Sequence, residues 1–369
     1  MKNICKIIAF SLLVCIALTA CNFNINKEGS YTAPIDLPLN KWENGSISPG
    51  KDRAGVQWFK IVATASSHFV YVKLNTLDDM NIYICNSLRD QIGSTHNYSG
   101  NTGSVFYSEL QTEVGEVYYI KTEGRYLNSS GSFFIGFTDF PAQPESVITE
   151  LNENHWTNGN IISSINGGTG EQWFKFTATA ATQYIYVKYS TCTSMDIYVY
   201  DLFMNQIGSR FDADAKFSGA IHYIQRNLIA GETYYIKADY GSGTFWIGFT
   251  DFPAAPETNI PVLCENKWEQ GNIISQQEGG LGEQWFKFVA TDFTQNIFVK
   301  FSTCTSMDVY VYDSKCNLIG NRFDADGKSP GDISKASWVL NVGETYYILV
   351  NYGTGSFWIA YGTSGELHN

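Results

Sequence analysis

Hydrophobic and polar residues alternate with a period of two in many short stretches of this chain. The stretch from Trp173 to Ala178 alternates in this way, and so do residues 184–189, 197–200, 234–239 and 244–249. Such alternation predicts half-buried β-strands. Clusters of glycine, asparagine and threonine separate the strands, and no stretch shows a helical stripe of useful length. The pattern therefore predicts an all-β protein.

A fixed set of short motifs occurs three times, at intervals of about 115 residues. Asn-x-Trp begins at Asn40, Asn154 and Asn266. Gln-Trp-Phe-Lys begins at Gln57, Gln172 and Gln284, and Gly-Glu-x-Tyr-Tyr-Ile begins at Gly115, Gly231 and Gly343. An interval of this length is a whole domain, because solenoid repeats span only about 20–50 residues. We therefore expect three tandem antiparallel β-sandwiches of jelly-roll-like type, with about eight strands each.

The repeats also set the expected domain boundaries. Sandwich 1 is predicted over residues 36–140, sandwich 2 over residues 146–252 and sandwich 3 over residues 258–369. Each joint carries two prolines, in Asp139–Pro144 and in Asp251–Pro256. Proline ends a strand and stiffens a short spacer, so limited movement is expected at both joints.

The first 21 residues are typical of a bacterial lipoprotein signal peptide. Lys2 and Lys6 precede an apolar stretch that is too short to span a bilayer as a helix. Leu18-Thr19-Ala20-Cys21 resembles a lipobox, in which the cysteine becomes diacylated and forms the mature N-terminus. An ordinary signal peptide with a chance cysteine is the alternative. With residues 22–35 as a flexible tether, we expect a lipid anchor on Cys21, in the outer membrane and facing the exterior.

Composition narrows the choice of partners. The chain is 44% hydrophobic and 15% aromatic but only 16% charged, which excludes a disordered polyelectrolyte. Its formal net charge of -12 argues against nucleic acid and anionic membrane surfaces, since both attract basic patches. Membrane contact is therefore expected through the lipid anchor only.

Within sandwich 2, three segments resemble a known family. Asp196-Ile197-Tyr198-Val199-Tyr200-Asp201 followed by Gly208, then Gly231–Ile236, then Gly243-Thr244-Phe245 are similar to the bacterial pre-peptidase C-terminal domain. The resemblance implies a jelly-roll-like β-sandwich. Such domains usually accompany secreted proteases and assist substrate binding. Some relatives bind collagen through surface tyrosines and hold calcium in loops.

Large aromatic rings occupy the strand positions that alternate with the aliphatic core. Rigid rings with a polar edge suit sugars or extended polypeptides. The candidate ligand-binding residues are Trp173, Tyr184, Tyr186, Tyr198, Tyr200, Tyr235, Trp246, Trp285, Tyr310, Tyr312, Tyr347 and Trp358. The alternative is that these rings pack against neighbouring strands, loops or the next sandwich.

Aspartates recur at matching positions of sandwiches 2 and 3. They are Asp196, Asp201, Asp212, Asp214, Asp308, Asp313, Asp324 and Asp326. Calcium prefers several carboxylate oxygens in strand-end loops, so these residues are candidate calcium ligands. Sandwich 1 has Asn81, Asn86, Asn97 and Ser99 instead. The alternative is ordinary turn chemistry, in which aspartate bonds its own backbone.

Catalytic motifs are missing from the sequence. The five histidines do not recur at one position across the repeats, and neither H-E-x-x-H nor G-x-S-x-G occurs. Five cysteines follow Cys21, an odd number, and only Cys304 and Cys316 are expected in one neighbourhood. No catalytic residue is predicted, although an enzyme whose residues meet only in the fold is a third hypothesis.

These observations favour a lipid-anchored cell-surface binding protein. The expected partner is a polysaccharide or an extracellular protein surface. Repeated aromatic-rich modules would bind it together and so raise the avidity. The first alternative is a structural spacer of the cell envelope. A hydrolytic enzyme is less favoured.

Overall fold

The computed structural model describes residues 28–51, 53–163, 168–214, 217–327, 329–363 and 367. The predicted signal peptide, Cys21 and the first residues of the tether lie outside these ranges. The chain divides into two compact units, one ending at Glu145 and one beginning at Ser146. Within the described ranges, no helix is both long enough and apolar enough to cross a membrane.

The first unit contains sandwich 1. Its strands are β1 (Ile35–Asp36), β2 (Glu43–Ile47), β3 (Val56–Val62), β4 (Ser67–Leu74), β5 (Asp79–Cys85), β6 (His96–Ser99), β7 (Val105–Gln111), β8 (Val117–Gly124) and β9 (Gly131–Thr138). One sheet has the order β1-β3-β8-β5-β6 and the other β2-β9-β4-β7. The short strand β1 runs parallel to β3, and the longer strands pair antiparallel.

The second unit begins with sandwich 2, which repeats this topology. Its strands are β10 (Ile148–Glu150), β11 (Thr157–Ile161), β12 (Glu171–Thr177), β13 (Thr182–Tyr189), β14 (Ser194–Tyr200), β15 (Phe211–Asp214), β16 (Ile221–Asn227), β17 (Thr233–Asp239) and β18 (Gly243–Thr250). The sheet orders are β10-β12-β17-β14-β15 and β11-β18-β13-β16.

Sandwich 3 completes the second unit. Its strands are β19 (Glu269–Ile273), β20 (Glu283–Val289), β21 (Thr294–Phe301), β22 (Ser306–Tyr312), β23 (Phe323–Asp326), β24 (Ile333–Val339), β25 (Thr345–Asn351) and β26 (Gly355–Gly362), with a short 3₁₀ helix at Gln276–Glu278. The sheet orders are β20-β25-β22-β23 and β19-β26-β21-β24. A parallel bridge from Val262 to Lys287 stands where sandwiches 1 and 2 have their first strand.

The alternation of the sequence places the cores. Along β17, Tyr234, Ile236 and Ala238 are buried while the residues between them are only partly covered. Phe174 meets Phe245 from the opposing sheet edge-to-face at 6.1 Å, which is a favourable aromatic geometry. Each sandwich encloses one such hydrophobic cluster. The expected all-β fold of antiparallel sandwiches is confirmed.

A glycine on the short strand of each four-stranded sheet makes room for a core phenylalanine. A Cβ atom on Gly159 would lie 2.4 Å from the Phe245 ring, closer than real contacts allow. Gly45 and Phe133 have the same relationship in sandwich 1, as do Gly271 and Phe357 in sandwich 3. The Trp-x-x-Gly part of the repeat is therefore explained by packing.

Candidate functional site

The structure buries four of the rings predicted to bind a ligand. Trp173, Tyr184, Tyr186 and Trp285 are between 1% and 7% exposed. Because a ring that is covered on all sides cannot contact an external molecule, the expectation of one open aromatic surface is wrong for these four residues.

Two of these rings are covered where sandwiches 2 and 3 pack within the second unit. Tyr184 and Tyr186, on β13, form a small apolar cluster with Trp156, Ala255 and Leu281. Burial raises the pKa of Tyr184 to about 12, since desolvation disfavours the phenolate. The sequence-based alternative, packing against the next sandwich, therefore applies to this pair.

Trp285 is covered by the linker between the same two sandwiches. Phe252 contacts it edge-on, with ring centres 4.8 Å apart, and lies 4.3 Å from the Tyr347 ring. The indole nitrogen of Trp285 donates a hydrogen bond to Glu283 at 2.9 Å. This arrangement satisfies the polar edge of the indole within the protein.

The other predicted rings are divided between two opposite surfaces. Tyr198 and Tyr200 stack on the outer side of the five-stranded sheet, with the Lys237 ammonium 4.6 Å from the Tyr198 ring centre. Trp246 is exposed on the outer side of the four-stranded sheet. Partly covered rings occupy the remaining predicted positions, at Tyr235, Tyr310, Tyr312, Tyr347 and Trp358. The structure does not bring the predicted set together on one surface.

In sandwiches 2 and 3, one arginine pairs with two of the candidate calcium ligands. Arg210 donates to the buried carboxylate of Asp196 at 2.6 Å and to Asp212 at 3.2 Å. Arg322 does the same with Asp308 and Asp324, at 2.8 and 3.3 Å. A fixed cation between two carboxylates offsets the charge that would attract a divalent metal.

Asp201 and Asp313 organise the loops that contain them. One oxygen of Asp201 accepts from the backbone N–H groups of Phe203 and Asn205, both at 2.8 Å. Desolvation opposes the effect, but hydrogen bonds from Asn205 and Phe203 hold the pKa of Asp201 below its ordinary value. In sandwich 1, the uncharged Asn86 accepts the same two backbone bonds. The role that Asp201 and Asp313 share with Asn86 is to hold the turn by accepting backbone hydrogen bonds, and an uncharged side chain can perform it.

Asp214 and Asp326 are the remaining candidate ligands, and both are exposed. Among the described residues, no group of three or more histidine, cysteine, aspartate or glutamate side chains lies close enough to hold a metal ion. Calcium binding stays an untested prediction of the sequence, and the arginine partners of four of the eight aspartates argue against it. Cys85, Cys192, Cys264, Cys304 and Cys316 are free thiols, so the pairing of Cys304 with Cys316 is not formed.

Two exposed tyrosines escaped the sequence analysis. Tyr240 and Tyr352 occupy the same turn of sandwiches 2 and 3, directly after β17 and β25. They are 79% and 77% exposed, and their φ angles are +73° and +79°. Left-handed backbone costs a side-chain-bearing residue roughly 1–2 kcal/mol. The signal that could have found them is the recurrence of Tyr-Gly-x-Gly after both strands.

Tyr240 lines a cleft of about 410 Å³. The cleft is lined by Ser163, Thr191, Thr193, Ser194, Tyr240, Gly241 and Ser242. Sandwich 3 carries the same kinds of residues at the matching positions, namely Ser275, Thr303, Thr305, Ser306, Tyr352, Gly353 and Thr354. An exposed ring beside several hydroxyl groups is thus present in both sandwiches.

Hydrogen bonds to hydroxyl groups that do not line the cleft hold one of its lining residues, Thr191, in place. Thr191 and Thr244 share a bond of 2.9 Å, and Thr244 continues to Ser190 at 3.1 Å. The matching bonds of sandwich 3 join Thr303, Ser356 and Ser302 at the same distances. Because the chain of hydroxyl groups is ordered before any ligand arrives, little entropy would be lost on binding.

Sandwich 1 departs from this arrangement. Its turn runs from Gly124 to Gly131, whereas Tyr240 to Gly243 suffices in sandwich 2. Tyr126 is the exposed ring of this longer turn, and Ser129 ties the turn to Asp79 at 2.9 Å. A carboxylate thus takes the place that Ser194 has in sandwich 2. The exposed tyrosine with uncharged hydroxyl residues at the matching sequence positions is a shared feature of sandwiches 2 and 3.

No family model and no curated protein matches the chain. Similar solved structures include an archaeal virus protein with a triple jelly-roll fold (10% identity, 87% of this chain and 90% of that chain, TM-score 0.18). Tandem family 51 carbohydrate-binding modules of a Streptococcus pneumoniae family 98 glycoside hydrolase match at 9% identity, over 56% of this chain and 81% of that chain, with TM-score 0.18. The tandem family 22 carbohydrate-binding modules of a Paenibacillus barcinonensis protein match at 10% identity, over 57% of this chain and 92% of that chain, with TM-score 0.18. At such scores function has to be argued from the residues of this chain.

Proposed function

We propose that this protein is a non-catalytic, lipid-anchored cell-surface protein that binds carbohydrate through the cleft beside Tyr240 and through an equivalent cleft beside Tyr352. The observation that carries the proposal is the pair of matching tyrosines, each exposed over more than three quarters of its surface in a left-handed turn. Neither ring contributes to a hydrophobic core. Strained and exposed residues of this kind are typical of binding sites.

The chemistry of the cleft favours an uncharged sugar. A tyrosine ring offers flat apolar area to the C–H face of a pyranose, and its hydroxyl adds a polar edge. The surrounding serine and threonine hydroxyl groups can both donate and accept hydrogen bonds, as sugar hydroxyl groups require. Among the residues that the structure describes, the lining of the Tyr240 cleft includes no aspartate, glutamate, lysine or arginine.

Two clefts on one chain raise the strength of binding to a polymer. Once Tyr240 holds one part of a polysaccharide, the cleft at Tyr352 meets the same polymer at a high effective concentration. A weak single site then suffices for firm attachment. This is the benefit expected from repeated modules, and it requires a partner that is itself repetitive.

The proposed location follows from the sequence. Diacylation of Cys21 would supply the two acyl chains that stable anchoring requires. The tether that begins at Asn22 would place the sandwiches at the outer face of the outer membrane, where polysaccharides and extracellular proteins are met. Labelling with a radioactive or alkynyl fatty acid tests the anchor, because a Cys21→Ser variant should lose the label.

A glycan array tests the binding proposal. The soluble fragment 22–369 with Cys21 removed should bind neutral glycans, and the double variant Tyr240→Ser/Tyr352→Ser should lose at least tenfold in affinity. Tyr107→Ser is the matched control, since Tyr107 is also exposed but lies on β7 of sandwich 1. Equal affinities for all three proteins would refute the site, and binding to none of the glycans would refute the function.

A structural spacer is the second candidate, and the linker favours it. Phe252 is held between Trp285 and Tyr347, and Ala255 joins the Tyr184–Tyr186 cluster, so the linker contacts both sandwiches of the second unit. Phe252→Ala should lower the free energy of unfolding by about 2 kcal/mol and expose residues 251–258 to protease. An unchanged unfolding curve and cleavage rate would show that the joint is not a stiffening element.

A further inference from the structure

An aromatic site on the outer side of β20 and β25 receives the linker phenylalanine. Phe252 lies edge-on against Trp285, with an interplanar angle of 70°, and contacts Tyr347. The residue after Phe252 is Pro253 and the residue before it is Asp251. The occupant is therefore a short acidic segment that presents one aromatic ring followed by proline.

Sandwich 1 has the same site, but a different residue fills it. Trp58 and Tyr119 are the counterparts of Trp285 and Tyr347 in the repeat. Tyr31 lies edge-on against Trp58, with ring centres 5.2 Å apart and an angle of 87°. This geometry closely matches that of Phe252, although Tyr31 comes from the segment before β1 and remains 55% exposed.

An arginine closes the site in sandwich 1. The guanidinium of Arg89 lies 4.0 Å from the Tyr31 ring centre and 4.3 Å from that of Tyr119. It also donates a hydrogen bond to the backbone carbonyl of Tyr31. Arg89 sits in a left-handed turn, with φ +70°, at the position that Cys316 occupies in sandwich 3 with φ +64°. A cation between two aromatic faces holds the Tyr31 segment in place.

Space for a longer segment is present beside this site. A cleft of about 440 Å³ extends from Tyr31 and Trp58 to Ser48, Arg53 and Lys121. The Arg53 side chain in this cleft complements an acidic residue next to an aromatic one, whereas Lys121 is already paired with Glu123 at 3.0 Å. The cleft therefore fits the kind of segment that Asp251-Phe252-Pro253 represents in the other unit.

We propose that the Trp58–Tyr119 site is a docking site for an acidic peptide segment with an aromatic–proline pair, and that Tyr31 and Arg89 hold it closed. The partner is a segment with the chemistry of Asp251–Pro256. Displacement of Tyr31 opens the site. The proposal concerns a surface separate from the Tyr240 and Tyr352 clefts and does not depend on carbohydrate binding.

The test is a titration with a synthetic peptide of residues 249–258, followed through the indole N–H signals of the tryptophans by NMR. The fragment 22–369 with Tyr31→Ser/Arg89→Ser should show a saturable shift of the Trp58 signal. The wild-type fragment should bind the same peptide at least tenfold more weakly, because its own Tyr31 competes. Equal binding by the two proteins, or no saturable shift in either, would overturn the proposal.

Two controls make the result specific. A peptide in which the residue matching Phe252 is alanine should produce no shift, since the aromatic ring is the group that docks. The Trp285 signal reports on the filled site of sandwich 3 and should stay in place throughout the titration. A shift at Trp285 in place of Trp58 would assign binding to the linker site and would contradict the proposal. Unchanged positions of the other indole signals show that the variant is folded.

Discussion

The guanidinium of Arg210 lies 2.6 Å from the carboxylate of Asp196, which is buried on β14. A second nitrogen of the same arginine reaches Asp212 at 3.2 Å. Sandwich 1 replaces all three residues together, by Asn81, Thr95 and Asn97. The charges therefore change as a set, which is the behaviour of an ion-pair cluster whose members depend on one another.

This dependence can be tested by exchanging residues between repeats. Arg210→Thr alone leaves the buried Asp196 carboxylate without its cation, so we expect the melting temperature of the second unit to fall by several degrees. The triple variant Asp196→Asn/Arg210→Thr/Asp212→Asn copies sandwich 1 and should recover most of the loss. Calorimetry measures the melting temperatures of both variants. A triple variant as unstable as the single one would show that the three residues are not coupled.

Calcium binding has a direct thermal test. Because Arg210 and Arg322 already neutralise two carboxylates each, we expect the melting temperature of fragment 22–369 to be the same with millimolar calcium and with a chelator. A rise of several degrees in calcium would instead support the aspartates as ligands. The Asp201→Asn variant is a useful comparison, since Asn86 shows that an amide can perform the turn role of Asp201.

Tyr240 allows stability and binding to be separated. Glycine adopts left-handed backbone without steric cost, although it adds freedom to the unfolded chain. Tyr240→Gly/Tyr352→Gly should therefore leave the protein equally stable, or more stable by up to about 1 kcal/mol per site, while glycan binding is lost. Urea unfolding and the glycan array measure the two effects. A clear loss of stability would mean that the rings serve the fold.

Glu283 gives the second unit a pH dependence of known sign. Desolvation raises the pKa of Glu283, and the hydrogen bond from Trp285 opposes this only in part. A carboxyl group whose pKa is higher in the folded state than in the unfolded state stabilises the fold in acid. This contribution to the free energy of unfolding disappears as the pH rises through the pKa of the folded state. Desolvation likewise raises the pKa of Glu171, and the hydrogen bond from Trp173 opposes this only in part.

The Glu283→Gln variant isolates this contribution. Its stability relative to wild type should increase between about pH 4 and about pH 7, because the amide never has to carry a buried charge. Melting curves across this range measure the difference, and effects of the other carboxylates cancel since both proteins share them. A difference that is constant with pH would show that Glu283 does not titrate differently on folding.

The fold was accessible from the sequence because alternation is a local property. Tyr234, Ile236 and Ala238 are spaced two apart whatever surrounds them, and the threefold recurrence of Gln-Trp-Phe-Lys indicates three copies of one unit. The short parallel strand β10 was harder to foresee, since three residues carry no period. Its pairing with β12 depends on contacts distant in sequence.

The site was less accessible, because exposure depends on what lies above a strand. Alternation shows that Tyr184 points away from the core of sandwich 2. Only the structure shows that Tyr184 is buried in a second apolar cluster, which includes Ala255 and Leu281. Tyr240 presented the opposite difficulty. It lies in a turn, where hydrophobic periodicity predicts nothing, and it stands out only through its exposure and its positive φ angle.

The Phe252 contact bears on how such a chain can evolve. The ring is encoded at the end of one sandwich, while the tryptophan that receives it belongs to the next. A gene duplication that copied a sandwich without its trailing linker would leave the aromatic site of the next domain without the linker ring that covers Trp285. The heritable building block is therefore the domain together with the peptide that follows it, and recombination is expected to preserve that combination.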